Sequence, residues 1–190
     1  KKNLTTKEMF MLALQHQKKN NLKIAENFYK EILKTDPNHI DAHNNLGLIF
    51  FDLGKPQKAI SCYKKAIQID PNYAIVYNNL GVVYRKINDI DNAAKAYKLA
   101  IEKDKNYFQA YNNLGIVCEK QNKYQESIKY FNDAISLNPK FSQAYNNLGS
   151  VHCILKDYEK GISCYTKALD INPNYADAAH NLGHTYGLMF

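Results

Sequence analysis

The sequence predicts an all-α chain, a solenoid built from stacked helix–turn–helix units. The first observation is a string, Asn-Leu-Gly, at Asn45–Gly47, Asn79–Gly81, Asn113–Gly115, Asn147–Gly149 and Asn181–Gly183, with successive glycines 34 residues apart. The second is a proline string on the same period: Asp36-Pro37-Asn38, Asp70-Pro71-Asn72, Asn138-Pro139-Lys140 and Asn172-Pro173-Asn174. The third is apolar residues recurring between these strings at helical spacing. A fixed period of this length marks a repeat architecture, in which one unit cannot bury its apolar face alone and neighbours must stack.

On that period the chain is a single array over 1–190, with repeats at 6–39, 40–73, 74–107, 108–141 and 142–175 and a partial repeat at 176–190. Each full repeat reads as two helices, A and B. In 40–73, helix A lies near Ile40–Leu53 and carries Leu46, Phe50 and Leu53. Helix B lies near Gln57–Ile69 and carries Ala59, Ile60, Tyr63, Ala66 and Ile67. Gly54 stands just past helix A, where a left-handed residue ends a helix. Asn20, Asn88 and Asn122 are the equivalent stops, asparagine being the next best residue there; Lys156 departs. The proline after helix B cannot continue it. Small residues fall where A and B must cross closely. On A these are Ala13, Gly47, Gly81, Gly115, Gly149 and Gly183; on B they are Ala25, Ala59, Ala93, Ser127 and Gly161. A mid-helix glycine costs about 1 kcal/mol against alanine, so five at one period imply a packing reason.

These residues resemble the tetratricopeptide repeat, and the resemblance covers the chain from Thr6 onward. The large aromatic of the family's first helix is met by Tyr77, Tyr111 and Tyr145, with Met9, His43 and Ala179 departing. The second-helix aromatic is met by Tyr29, Tyr63, Tyr97, Phe131 and Tyr165; the closing proline is replaced by Lys105 in one copy. The resemblance implies a right-handed superhelix with A helices inside and B helices outside, and a protein or peptide as partner.

On the A helices, doubled asparagines recur as Asn44-Asn45, Asn78-Asn79, Asn112-Asn113 and Asn146-Asn147, with Asn181 following His180 in the last copy. Asparagine is a poor helix former, so propensity does not explain them. Each amide offers donors and an acceptor. A row of them is expected to clamp the backbone of an extended peptide without reading its side chains. The other reading assigns some of them to bonds between neighbouring repeats. The row is similar to that in the repeat arm of O-GlcNAc transferases, most closely in the wording of Phe141–Gly149. That resemblance implies a second function: a substrate-recruiting arm of a larger glycosyltransferase or sulfotransferase.

The remaining features narrow the field. Net charge is +7, but residues 1–39 hold 8 basic against 4 acidic residues and lysine outnumbers arginine 24 to 1. Base and phosphate-fork recognition leans on arginine, so a solvated lysine surface is expected rather than nucleic-acid binding. No run approaches the roughly 18 apolar residues of a membrane span, and Lys1–Leu4 precede no apolar run; a cytoplasmic chain is the default expectation. Cys62, Cys118, Cys153 and Cys164 have no C-x-x-C spacing and read as small hydrophobes. His180 and His184 lie four apart, but with no third ligand no metal is expected. No phosphate loop, nucleophile set or cofactor motif appears, so no enzyme activity and no cofactor are expected. The closing Leu188-Met189-Phe190 leaves the half-repeat without a helix B, and self-association there is a further expectation.

Overall fold

The computed structural model describes residues 4–189; the expectations placed on Lys1–Asn3 and Phe190 lie outside the described residues. The described residues form α-helices and no strand. The chain divides into two compact units, one ending at Lys103 and one beginning at Asp104. In the first, α1 (Thr6–Lys18), α3 (Ile40–Asp52) and α5 (Ala74–Lys86) are A helices, and α2 (Leu22–Thr35), α4 (Pro56–Ile69) and α6 (Ile90–Lys103) are B helices. In the second, α7 (Phe108–Lys120), α9 (Ser142–Ile154) and α11 (Ala176–Met189) are A helices, with α8 (Tyr124–Leu137) and α10 (Tyr158–Ile171) as B helices.

Each A–B turn is closed by one residue in the left-handed region: Asn20 at φ 59°, Gly54 at 68°, Asn88 at 63°, Asn122 at 58° and Lys156 at 63°. Lys156 therefore adopts the same conformation as the glycine and asparagines despite the steric cost of its Cβ. Behind it, the Asp157 N–H bonds the His152 carbonyl at 2.9 Å, as the Lys55 N–H bonds Phe50 at 2.8 Å. This six-residue closure consumes carbonyls that the helix end would leave unpaired.

The B–A links are built differently. The residue after each B helix turns its side-chain oxygen onto the N–H two residues ahead: Asp36 to Asn38 at 3.2 Å, Asp70 to Asn72 at 2.8 Å, Asp104 to Asn106 at 2.9 Å, Asn138 to Lys140 at 3.1 Å and Asn172 to Asn174 at 3.3 Å. Such a side-chain turn replaces one unit of backbone turn. It persists at Asp104-Lys105, where the proline is missing. The link is also tied from the A helix: the Tyr77 hydroxyl donates to the Pro71 carbonyl at 3.2 Å, and His43 Nε2 makes the matching bond to Pro37 at 2.9 Å. His43 thus reproduces the bond of the aromatic it replaces.

The core of each unit runs between A and B helices. A Cβ placed on Gly47, Gly81 or Gly115 would stand 2.6 Å from the ring of Tyr63, Tyr97 or Phe131, and on Gly149 it would stand 2.8 Å from Tyr165. The glycines let the aromatic rings lie on the A-helix backbone. Where α8 carries Ser127, its hydroxyl donates to the Gly115 carbonyl at 2.8 Å. At Gly183 a Cβ meets nothing within 4 Å, and Tyr186 and Leu188 are exposed. The α11 face that corresponds to the covered faces of α3, α5, α7 and α9 is bare in this respect.

Candidate functional site

Two residues apart on a helix are about 200° apart around its axis. Gly47 turns toward α4, so Asn45 turns away from it, and the same holds for Gly81, Gly115 and Gly149. The A helices thereby present a stripe of residues, mostly half-buried, at a spacing of three. In the first unit it holds Asn45 and Leu48 on α3 and Asn79 and Val82 on α5; in the second it holds Asn113 and Ile116 on α7, Asn147 and Ser150 on α9, and Asn181 with exposed His184 on α11.

The first asparagine of each pair points inward. Asn44, Asn78, Asn112 and Asn146 are 6–7% exposed. The oxygens of Asn44, Asn112 and Asn146 are met by the second asparagine of the following repeat. In the first unit Asn79 Nδ2 donates to Asn44 Oδ1 at 2.9 Å. In the second, Asn147 donates to Asn112 and Asn181 to Asn146, both at 3.0 Å. Buried amides need partners, and here one conserved geometry serves every described pair. Asn78 and Asn113 occupy the same buried and half-buried registers. Asn44 and Asn79, Asn112 and Asn147, and Asn146 and Asn181 are therefore joined between neighbouring repeats, 35 residues apart, which is the packing role that the doubled pattern left open.

A third register carries the B-helix phenols. The Tyr29 hydroxyl donates to Gln17 Oε1 at 3.1 Å and lies by the Asn45 amide. Burial raises its pKa to about 12, with Asn45 opposing the rise. Tyr97 and Tyr165 are likewise raised, first by burial. In the second unit, Ser150, Cys153, Tyr165, Asn181, His184 and Thr185 line a shallow cavity of about 280 Å³. A larger cavity of about 590 Å³ lies between α2, α3 and α4 and includes none of the paired asparagines. Glu119, half-buried, has its carboxyl pKa raised by burial, with a Ser150 hydrogen bond opposing.

The profile of the family described as tetratricopeptide repeat matches residues 74–107, 108–141 and 142–175, more than half of the chain. The chain belongs to the tetratricopeptide-repeat family. Related repeat profiles match 47–87, and 28–61 with 164–189. Among solved structures, one titled as the crystal structure of MamA is 28% identical, with a TM-score of 0.75 over 86% of this chain and 96% of that one. A structure of pilF from Pseudomonas aeruginosa is 21% identical, with a TM-score of 0.86 over 97% of this chain and 84% of that one. YrrB, titled as a TPR protein with an unusual peptide-binding site, is 22% identical, with a TM-score of 0.69 over 93% and 91%. The latter two establish likeness of fold. Comparison with curated protein sequences gives no match.

As a tetratricopeptide-repeat chain, the protein is a protein-interaction scaffold. Its basic excess is partly absorbed within the first unit. Glu26, only 4% exposed, takes Lys30 at 2.6 Å and Lys23 at 3.6 Å, and Lys30 and Lys58 both stand over the Phe50 ring. Lys30 foremost holds the Glu26 carboxyl below the usual range against the opposing effect of burial. Among the described residues no helix is long and apolar enough to cross a membrane and no group of three metal-ligating side chains assembles. The four cysteines are free, Cys118 buried and the others half-buried; burial pushes the Cys62 and Cys164 thiols up to about 11. Sequence reasoning missed the Arg85–Tyr97 contact on the first unit, although Arg85 is the sole arginine in the chain.

Proposed function

We propose that this tetratricopeptide-repeat chain holds an extended peptide on the A-helix stripe. Asn45 and Asn79 would touch a peptide on the first unit, and Asn113, Asn147 and Asn181 one on the second. Asn44, Asn78, Asn112 and Asn146 act as buried props behind them. The observation that carries the reading is the fixed orientation of half-exposed amides. With Nδ2 of Asn79, Asn147 and Asn181 tied to a buried oxygen, the rest of each amide is set before any ligand arrives. Preorganised groups lose less entropy on binding. Each backbone hydrogen bond nets about 0.5–1.5 kcal/mol, so four or five support roughly micromolar affinity after ordering costs. Leu48, Val82 and Ile116 supply apolar contact beside the amides.

The test is panning of a displayed random-peptide library against the 190-residue chain, followed by binding of the selected peptides to a variant with Asn79, Asn113 and Asn147 changed to alanine. A control variant, Val117→Ala, loses stability in the core and keeps every asparagine. The expected outcome is loss of binding in the asparagine variant and its retention in the control, both measured well below their Tm. Undiminished binding by the asparagine variant would make the row purely a device for joining repeats.

A further inference from the structure

Five A helices carry a glycine at one register, and in four of them an aromatic ring stands on it. A Cβ on Gly47, Gly81 or Gly115 would come to 2.6 Å from Tyr63, Tyr97 or Phe131, and one on Gly149 to 2.8 Å from Tyr165, each ring supplied by the B helix of the same repeat. Those four glycines are buried. Gly183 on α11 is exposed, and a Cβ there would meet nothing within 4 Å. Its neighbours on the same face follow it into solvent. Leu148 on α9 is 6% exposed, whereas its counterpart Leu182 is half-buried and Ala179 and Gly187 are exposed. Tyr186 is 47% exposed, while Phe50 and Cys118 hold the same register at 5% and 4%. A mid-helix glycine weakens a helix relative to alanine. The four covered glycines recover that loss through the ring; among the described residues Gly183 has no ring to recover it.

The covered copies show what fits. Each B helix brings a small residue, Ala59, Ala93, Ser127 or Gly161, and the aromatic four positions later. The reason for the small residue is visible at Gly161, where a Cβ would collide with Cys153 Sγ and stand 3.3 Å from the Gly149 carbonyl oxygen. At the register of Cys153, α11 has Gly187, so an alanine fits opposite it. No folded copy of this chain has such a ring to offer, because Tyr29, Tyr63, Tyr97, Phe131 and Tyr165 are all at most 3% exposed.

We propose that the bare face of α11 docks one amphipathic helix of a partner protein, carrying a small residue and, four positions later, a tyrosine or phenylalanine that lies on Gly183. The occupant follows from continuity: the contact repeats on α11 the interface that α8 makes with Gly115 of α7 and α10 with Gly149 of α9. The docked helix also covers Leu182 and Tyr186. The surface is separate from the asparagine stripe, since Asn181 lies two residues from Gly183 and so points about 200° away. It does not depend on the peptide-holding reading.

The probe is a fluorescein-labelled synthetic peptide with the sequence of residues 90–103, which contains Ala93 and Tyr97 and no cysteine. A short helix is marginal alone in water, so the 190-residue chain is titrated into it to about 1 mM while anisotropy is read. A saturable rise is expected. Tyr97→Ala in the probe should weaken binding about tenfold or more, as loss of a buried aromatic anchor does, although alanine favours the helix. Gly183→Ala in the chain should weaken binding by a similar factor while raising Tm, because its Cβ enters open space in the free chain and meets the ring only in the complex. No saturation, a lowered Tm in Gly183→Ala, or equal affinity for that variant overturns the docking surface; equal affinity is also the signature of a probe that displaces α6 from the chain itself. The variant with Asn79, Asn113 and Asn147 changed to alanine should bind the probe normally, and a loss there matching that of Gly183→Ala would move the probe to the stripe and overturn the proposal. Sedimentation of the chain alone tests a second copy: a dimer that Gly183→Ala dissolves would assign the face to self-association and overturn the partner helix.

Discussion

Removing the Asn79 amide strands the Asn44 oxygen in a site only 7% exposed. A buried acceptor without a donor costs about 1–3 kcal/mol, more than the net value of the bond it once made. Asn79→Ala is therefore expected to lower stability by that amount. The double variant Asn44→Ala/Asn79→Ala should cost less than the two single losses added together, because it leaves no orphaned partner. A double-mutant cycle from urea melts reads the difference, and a coupling of about 0.5–1.5 kcal/mol is expected. Additive losses would show that the 2.9 Å contact contributes nothing. The same residue explains why sequence alone left the pair's roles open. The doubling of asparagines was visible at a fixed period; which member turns inward depends on the crossing of neighbouring A helices, and no spacing within one helix reveals that. The Arg85–Tyr97 pair was hidden for a similar reason. Each residue fits an ordinary helical pattern, and only the packing of α5 against α6 brings them together.

Helices were the most legible level. The glycine period, the stops and the proline string located the A and B helices to within a residue: Ile40–Asp52 and Pro56–Ile69 stand where Ile40–Leu53 and Gln57–Ile69 were expected. The links were less legible, because proline drew the eye while the aspartate or asparagine before it makes the turn. Asp104 shows this, forming its 2.9 Å turn bond with no proline following. Lys156 tests the stops. It takes a φ of 63°, which costs a residue with a Cβ about 1–2 kcal/mol. Glycine pays no such penalty but loses more freedom on folding, roughly 0.5–1 kcal/mol. Lys156→Gly is thus expected to stabilise by up to about 1 kcal/mol, read as a rise in the urea midpoint at unchanged slope. A fall in the midpoint would mean that the lysine side chain contributes more than its backbone strain removes.

At the scale of the whole chain, stability in a repeat protein is close to a sum of unit terms and nearest-neighbour interfaces. Damage should then stay near its origin. Leu114 on α7 is 1% exposed, and truncation to alanine leaves a core cavity costing about 2–5 kcal/mol. It belongs to the unit that begins at Asp104. Native-state hydrogen exchange of Leu114→Ala is therefore expected to lose protection first in α7, α8 and α9. The amides of α1, α2 and α3 should keep most of theirs, since their own core of Tyr29, Ile32, Leu46 and Ile49 is untouched. Opening free energies that differ between the two sets identify units that open separately. An equal loss across all described helices would show one cooperative block. A loss well under 1 kcal/mol at α7 itself would contradict the inward placement of Leu114, and with it the outward placement of Asn113 beside it.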